Sequence, residues 1–291
     1  MRCRLLLLLL LAAAHVTAQE RPSSCADCPG WNMPQQPFKV YGNTYYVGTH
    51  GLSSLLVTSE SGHVLIDGAL PESVPQIVAN IRQLGFRVED IKLIVNSHAH
   101  FDHAGGVAEL QNISGARVAG SAWTTDVMKQ GAVLRDDPQF GVIVPIARIA
   151  HVETFKDGET LSAGTLAVTA HLTPGHTPGG TSWTWRSCEG SRCLNMVYAD
   201  SLTPVSADGF LFTRSTAYPD AVQDFERSYA FLDSTPCDIL ITPHPDISNV
   251  WQRLARRDSA PDALIDTRAC RALAETSRER LKKRLATEGA R

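Results

Sequence analysis

A chain of 291 residues, 43% hydrophobic and 20% charged, has the composition of a globular protein with a solvated surface, and is neither fibrous nor low-complexity. Its 27 basic and 30 acidic side chains leave a formal net charge of −3. That balance gives no electrostatic footprint for nucleic acid or for an acidic membrane surface.

The first eighteen residues have the layout of a secretory signal peptide: Arg2 and Arg4, an apolar run from Leu5 to Ala14, and small residues at Val16-Thr17-Ala18. The run is too short to span a bilayer, and no later segment is apolar enough to do so. The sequence therefore predicts a signal over 1–18, a single domain over 19–291, export to the periplasm, and a monomer with no membrane partner. Removing Cys3 leaves six cysteines, and an even count in an exported chain reads as disulfides. Cys188 and Cys193 flank Glu-Gly-Ser-Arg, a turn between two strand-like runs, so they face each other across a hairpin.

Residues 19–37 read as an irregular arm, followed by a hairpin over 38–49 turning at Gly-Asn and a second over 54–68. Residues 71–86 carry Val74, Ile77, Val78 and Ile81 at helical spacing. KLIVNS (92–97) is a short buried strand that opens into HAHFDHAGG, and a helix restarts over 104–115. Residues 129–150 have no clean period, and a long irregular loop in a compact domain is often functional. Strands then cover 165–176, 182–188 and 194–201, with a helix near 219–233 and a strand over 237–245. The tail from Pro261 reads as a helix whose stripe of Leu273, Ser277, Leu281 and Leu285 serves packing. Strands and helices in both halves, with no linker between them, predict an α/β fold of two packed sheets covered by helices on their outer faces.

The chemistry concentrates in His98-Ala99-His100-Phe101-Asp102-His103. On extended backbone residues 98, 100 and 102 project to one side and 103 to the other, so a second centre is within reach. Imidazole and carboxylate are zinc donors, and one zinc does not readily take all four from so short a loop, whereas two can. His176 in TPGHTPGG and His244 in ITPHPD each follow an apolar strand in a rigid Pro/Gly turn, where α/β proteins assemble sites. His50, His63, His151 and His171 lack ligand spacing, and no G-x-S-x-G elbow supports serine hydrolysis.

HxHxDH, a later Gly-His loop, a third histidine near the C-terminus and LIDG at 65–68 together resemble the metallo-β-lactamase superfamily, most closely its subclass B3. Subclass B1 has Arg where His103 stands and a Cys ligand where this chain reads YADSLT. The resemblance implies the αββα sandwich, with His98, His100 and His176 on one zinc and Asp102, His103 and His244 on another. It further implies hydrolysis of the β-lactam amide bond of penicillins, cephalosporins and carbapenems by a zinc-activated hydroxide, with antibiotic resistance as the outcome. In that scheme Asp102 orients the nucleophile and relays its proton, Ser201 and Thr203 bind the substrate carboxylate, and Asp67 orients a ligand histidine. Cys237 and Cys270 match a pair typical of B3 enzymes. Cys25 and Cys28 depart from the pattern and would by exclusion pair with each other. The alternatives are a glyoxalase-II-like thioesterase, in which Asp200 would bridge the metals, a lactonase or phosphodiesterase, or a zinc-binding protein without turnover.

Overall fold

Strands that are apolar along their whole length need cover on both faces, and here that requirement produces four layers. The computed structural model describes residues 25–289, and the signal segment lies outside them. After a short turn of helix α1 (Cys28–Trp31), strands β1 (Phe38–Tyr41), β2 (Thr44–Tyr46), β3 (Leu55–Val57) and β4 (His63–Ile66) form an antiparallel run. Helix α2 (Val74–Gln83) leads to β5 (Ile91–Val95), then α3 (Phe101–Ala104), α4 (Val107–Ser114), β6 (Arg117–Gly120), α5 (Ala122–Gln130) and β7 (Val152–Thr154). From β4 to β7 the pairing is parallel, so the seven strands lie in chain order in one mixed sheet.

The second sheet holds β8 (Thr160–Ala163), β9 (Leu166–Leu172), β10 (Thr181–Glu189), β11 (Arg192–Tyr198) and β12 (Ile239–Ile241). Helices α6 (Ala221–Ser234), α7 (Val250–Leu254) and α8 (Ala269–Gly289) complete the chain. Leu55, Ile66, Leu93 and Val95 of the first sheet meet Val168, Trp183, Met196 and Ile241 of the second in one buried core. Ile77, Ile81, Leu110 and Val127 seal the outer face of the first sheet, and Phe225, Tyr229, Leu273 and Leu281 that of the second. This is the αββα sandwich the patterning predicts.

Local chemistry explains most boundaries. Gly42 turns the first hairpin at φ 53°, and a Cβ there would lie 2.5 Å from the Ser187 hydroxyl of the other sheet. Ser121 caps α5 by accepting the Thr124 amide, and Gly115 and Gly131 end α4 and α5 in the left-handed region. The tail departs from expectation: α8 begins at Ala269, because residues 261–268 spend their backbone bonds on turns such as Ile265 N–H to the Asp262 carbonyl. The stripe on α8 faces inward, with Ser277 and Leu281 both 1% exposed. Disulfides join Cys188 to Cys193 across the β10–β11 turn, Cys237 to Cys270 between the approach to β12 and α8, and Cys25 to Cys28 at α1. Among the described residues no helix is long and apolar enough to cross a membrane.

Candidate metal centre

The HxHxDH segment leaves the C-terminal end of β5, in the middle of the parallel part of the first sheet. Its backbone is not extended throughout. The His100 carbonyl accepts from the amides of His103 (3.0 Å) and Ala104 (2.7 Å), winding residues 101–104 into the turn α3. The alternation argument therefore holds only up to His100, and a helical turn sends Asp102 and His103 toward the second group of donors.

The donors converge from both sheets. Nitrogens of His98, His100 and His176 lie within 4.8 Å of one another, as do the donor atoms of His98, Asp102 and His103. Asp102 Oδ2 lies 3.1 Å from His103 Nε2 and 3.4 Å from His244 Nε2, bringing His244 into the second group. His176 stands on the turn after β9, and His244 follows β12. The Trp31 ring packs 5.2 Å from that of His244. His98, His100, Asp102, His103 and His176 are buried, whereas the His244 side chain keeps 25% exposure at the mouth.

Each imidazole of the first group is held from behind. His176 Nδ1 donates to the Thr203 carbonyl at 2.9 Å; a carbonyl can only accept, so Nε2 keeps its lone pair for the cluster. His100 uses Nε2 against Asp137 Oδ2 at 2.9 Å and turns Nδ1 inward. His98 Nδ1 meets Asp200 Oδ1 at 2.7 Å, while its Nε2 is buried without a partner. A ligand imidazole needs this kind of support on its far nitrogen. Burial, then the neighbouring imidazoles, holds His98 well below the usual histidine pKa, and the same causes push His176 down to about 3. Both rings are therefore neutral at physiological pH, as ligation requires. Burial opposes ionisation of Asp102, but the charges and hydrogen bonds of His103 and His244 outweigh it and hold the carboxyl well below its usual range.

Asp67 is fully buried at φ 63° beneath this loop. Its Oδ1 accepts from Asn96 Nδ2 and the Ser97 amide, and its Oδ2 from the Ser97 and Tyr198 hydroxyls. His103 Nδ1 is 3.9 Å away, so Asp67 faces this candidate ligand without a close hydrogen bond to it. Asp200, the candidate for a bridging carboxylate, lies behind His98 instead. Gly180 passes so close that a Cβ there would sit 2.3 Å from Asp200 Oδ2. Burial pushes the Asp200 carboxyl well above its usual pKa; a cation on the far side of His98 would favour the carboxylate. Ser201 is buried and Thr203 half-buried, and among the described residues neither hydroxyl has a hydrogen-bond partner.

Two residues of the irregular loop escaped the sequence reading. Asp137 supports His100, and Gln139 Nε2 lies 3.4 Å from both His100 Nδ1 and His176 Nε2, facing the inner nitrogens. The aperiodic loop marked the region, but no local pattern singled these two out. His50 stacks on Trp251 and is bound to Gln35, outside both donor groups. A separate open groove lined by Thr169, His171, Thr184 and Arg186 holds none of these donors.

Residues 47–189 match the family model described as the metallo-beta-lactamase superfamily. Among solved structures, the chain is 52% identical to the Rm3 metallo-beta-lactamase, covering 91% of this chain and 99% of that one with a TM-score of 0.90. It is 51% identical to MEM-A1, a subclass B3 metallo-beta-lactamase from a soil metagenome library, over 89% of this chain and 99% of that one, with a TM-score of 0.88. Curated relatives overlap less fully. The chain spans 61% of the length of one uncharacterized relative. It is 26% identical over 220 residues to the N-acyl homoserine lactonase AttM of Azorhizobium caulinodans, 66% of this chain and 81% of that protein.

Proposed function

The chain belongs to the metallo-beta-lactamase superfamily, and on that footing we propose that it hydrolyses β-lactams with two zinc ions, one held by His98, His100 and His176 and one by Asp102, His103 and His244. The observation that carries this reading is the orientation of the three imidazoles. Each spends one nitrogen on a hydrogen bond behind it and turns the other toward a common point. The buried, partnerless Nε2 of His98 is a lone pair that a cation would satisfy, and the donor set suits zinc. Zinc bound there supplies Lewis acidity toward a carbonyl oxygen and lowers the pKa of water toward neutrality.

The remaining steps fall to side chains. Asp102, ionised across the physiological range, both ligates and accepts the proton released when water attacks the lactam carbonyl. Breaking the C–N bond then leaves the ring nitrogen to be protonated, and Asp102 is placed to return that proton. Gln139 offers an amide N–H₂ at the edge of the three-histidine group, where a carbonyl oxygen would approach. Ser201 and Thr203 offer free hydroxyls to the substrate carboxylate, and Asp200, lying behind His98, adds no negative charge between the two groups. Export to the periplasm and a monomeric state complete the reading.

The direct test is loss of β-lactam absorbance with a penicillin, a cephalosporin and a carbapenem. The lactonase similarity supplies a rival, so an N-acyl homoserine lactone belongs in the same series. Ready lactone turnover with no attack on any of the three β-lactams would reverse the assignment.

Two variants probe substrate contacts. Ser201→Ala with Thr203→Val should raise KM for β-lactams roughly ten- to hundredfold, since losing hydrogen bonds to a charged group costs about 1.5–3 kcal/mol. Zinc content should stay at two, and an unchanged KM would remove these hydroxyls from the site. Gln139→Ala should lower kcat/KM by about tenfold, one hydrogen bond's worth, again with metal retained. Loss of zinc in that variant would mean that Gln139 supports the ligands instead.

A further inference from the structure

The far end of α8 reaches into the loop that supports His176, and we infer that Arg284, with Glu288, is a positioning residue for the three-histidine group. The inference rests on the reading of that group as a metal site.

Residues 203–213 form no helix or strand, and their internal backbone bonds, such as Val205 N–H to Thr203 and Phe210 N–H to Ala207, are local turns that do not span the segment. Arg284 does. Its Nη1 donates to the Pro204 carbonyl at 3.1 Å, and its Nη2 to the Ser206 hydroxyl at 2.7 Å and the Phe210 carbonyl at 2.8 Å. The guanidinium lies 5.0 Å above the Phe212 ring. Its Nε donates to Glu288 Oε1 at 2.6 Å, and Glu288 Oε2 accepts the amide and hydroxyl of Thr213 at 2.9 and 3.0 Å. Glu288 is 2% exposed, whereas the Arg284 side chain keeps 26% exposure, so the carboxylate is enclosed and the guanidinium half-buried. One arginine and one carboxylate thus grip both ends of the loop.

What the loop carries makes the grip functional. The residue before Pro204 is Thr203, whose carbonyl accepts the hydrogen bond from His176 Nδ1–H. The Ala207 amide donates to the Pro138 carbonyl at 2.8 Å, tying this loop to the one in which Asp137 holds His100. Arg284 therefore bears on the acceptors behind two of the three imidazoles through hydrogen bonds joined by short stretches of backbone. The Cys237–Cys270 disulfide fixes the other end of α8, so the reach of Arg284 is set from both sides. A lysine cannot reproduce it: a single ammonium on a flexible stem cannot serve acceptors spread across Pro204, Ser206 and Phe210.

The test uses the full chain loaded with zinc, chelator titration to read each site, and the cobalt(II)-substituted protein to report the geometry of the three-histidine group. Arg284→Lys should weaken zinc at that site by roughly ten- to hundredfold, as loss of support behind a ligand does. The Asp102–His103–His244 site should stay within about twofold. Glu288→Gln, milder for folding, should shift the same site in the same direction. If both variants fold with unchanged zinc affinities and an unchanged cobalt spectrum, Arg284 merely anchors a helix and the inference is wrong. If the unaltered chain holds no metal at the three histidines, the underlying reading fails instead.

Discussion

Stripped of metal by a chelator, the protein should lose its β-lactam hydrolysis down to background, and added zinc should restore it with close to two ions per chain. The size of the loss follows from what remains. Without metal the cleft has the neutral imidazoles of His98 and His176, the ionised Asp102 carboxylate and free hydroxyls, none activated as a nucleophile. Zinc held there would lower the pKa of bound water to about 7, and no side chain here substitutes for that change. His98→Ala should preferentially empty the three-histidine site, and His244→Ala the other, each read by metal analysis beside the assay. Persistent turnover by demonstrably metal-free protein would end the proposed mechanism.

Asp67→Ala should cost about 3–5 kcal/mol of stability, the range expected when one partner of a buried charged network is removed. The carboxylate satisfies four donors: Asn96 Nδ2, the Ser97 amide and hydroxyl, and the Tyr198 hydroxyl. Alanine would strand all of them out of reach of water while keeping a left-handed backbone that suits Asp better than Ala. Tyr198 ends β11 and Ser97 follows β5, so the same group fastens the HxHxDH loop of one sheet to a strand of the other. Asp67→Asn preserves the shape and removes the charge facing His103, and should cost less. Denaturant midpoints with zinc counts separate the cases. A shift under about 1 kcal/mol for Asp67→Ala would show that water or neighbouring groups replace the carboxylate.

The parts of this molecule legible in the sequence were those written locally. His98, His100, Asp102 and His103 stand within six residues, and His176 and His244 sit in Pro/Gly turns directly after apolar strands. Layer order followed from continuous apolar runs such as VLI (64–66) and LIV (93–95), buried on both faces. Short elements with weak patterning, β6 and α5, went unread because four strand residues and nine helical ones offer little periodicity. What supports the ligands was less visible still. Asp137 is 37 positions from His100 and Asp200 is 102 from His98, and hydrogen bonds across such separations leave no trace in spacing. The turn α3 defeated the extended-chain argument for a local reason: the His100 carbonyl accepts from the amides of His103 and Ala104, which coils Phe101 to Ala104.

The origin of the donors has a consequence for the order of assembly. His98 to His103 come from the first sheet, whereas His176, His244 and the groups behind His98 and His176 come from the second. A folding chain that had built only its first layer would present four of the six donors, with the support behind His98 missing and His176 and His244 absent. High-affinity loading must therefore wait until the two layers dock. Once loaded, the ions of the proposed sites would clasp the layers together in the manner of a removable rivet, binding the folded state alone and stabilising it in proportion to the logarithm of free zinc. The compartment in which this protein finishes folding, more than the one in which it is synthesised, would then decide which metal it carries.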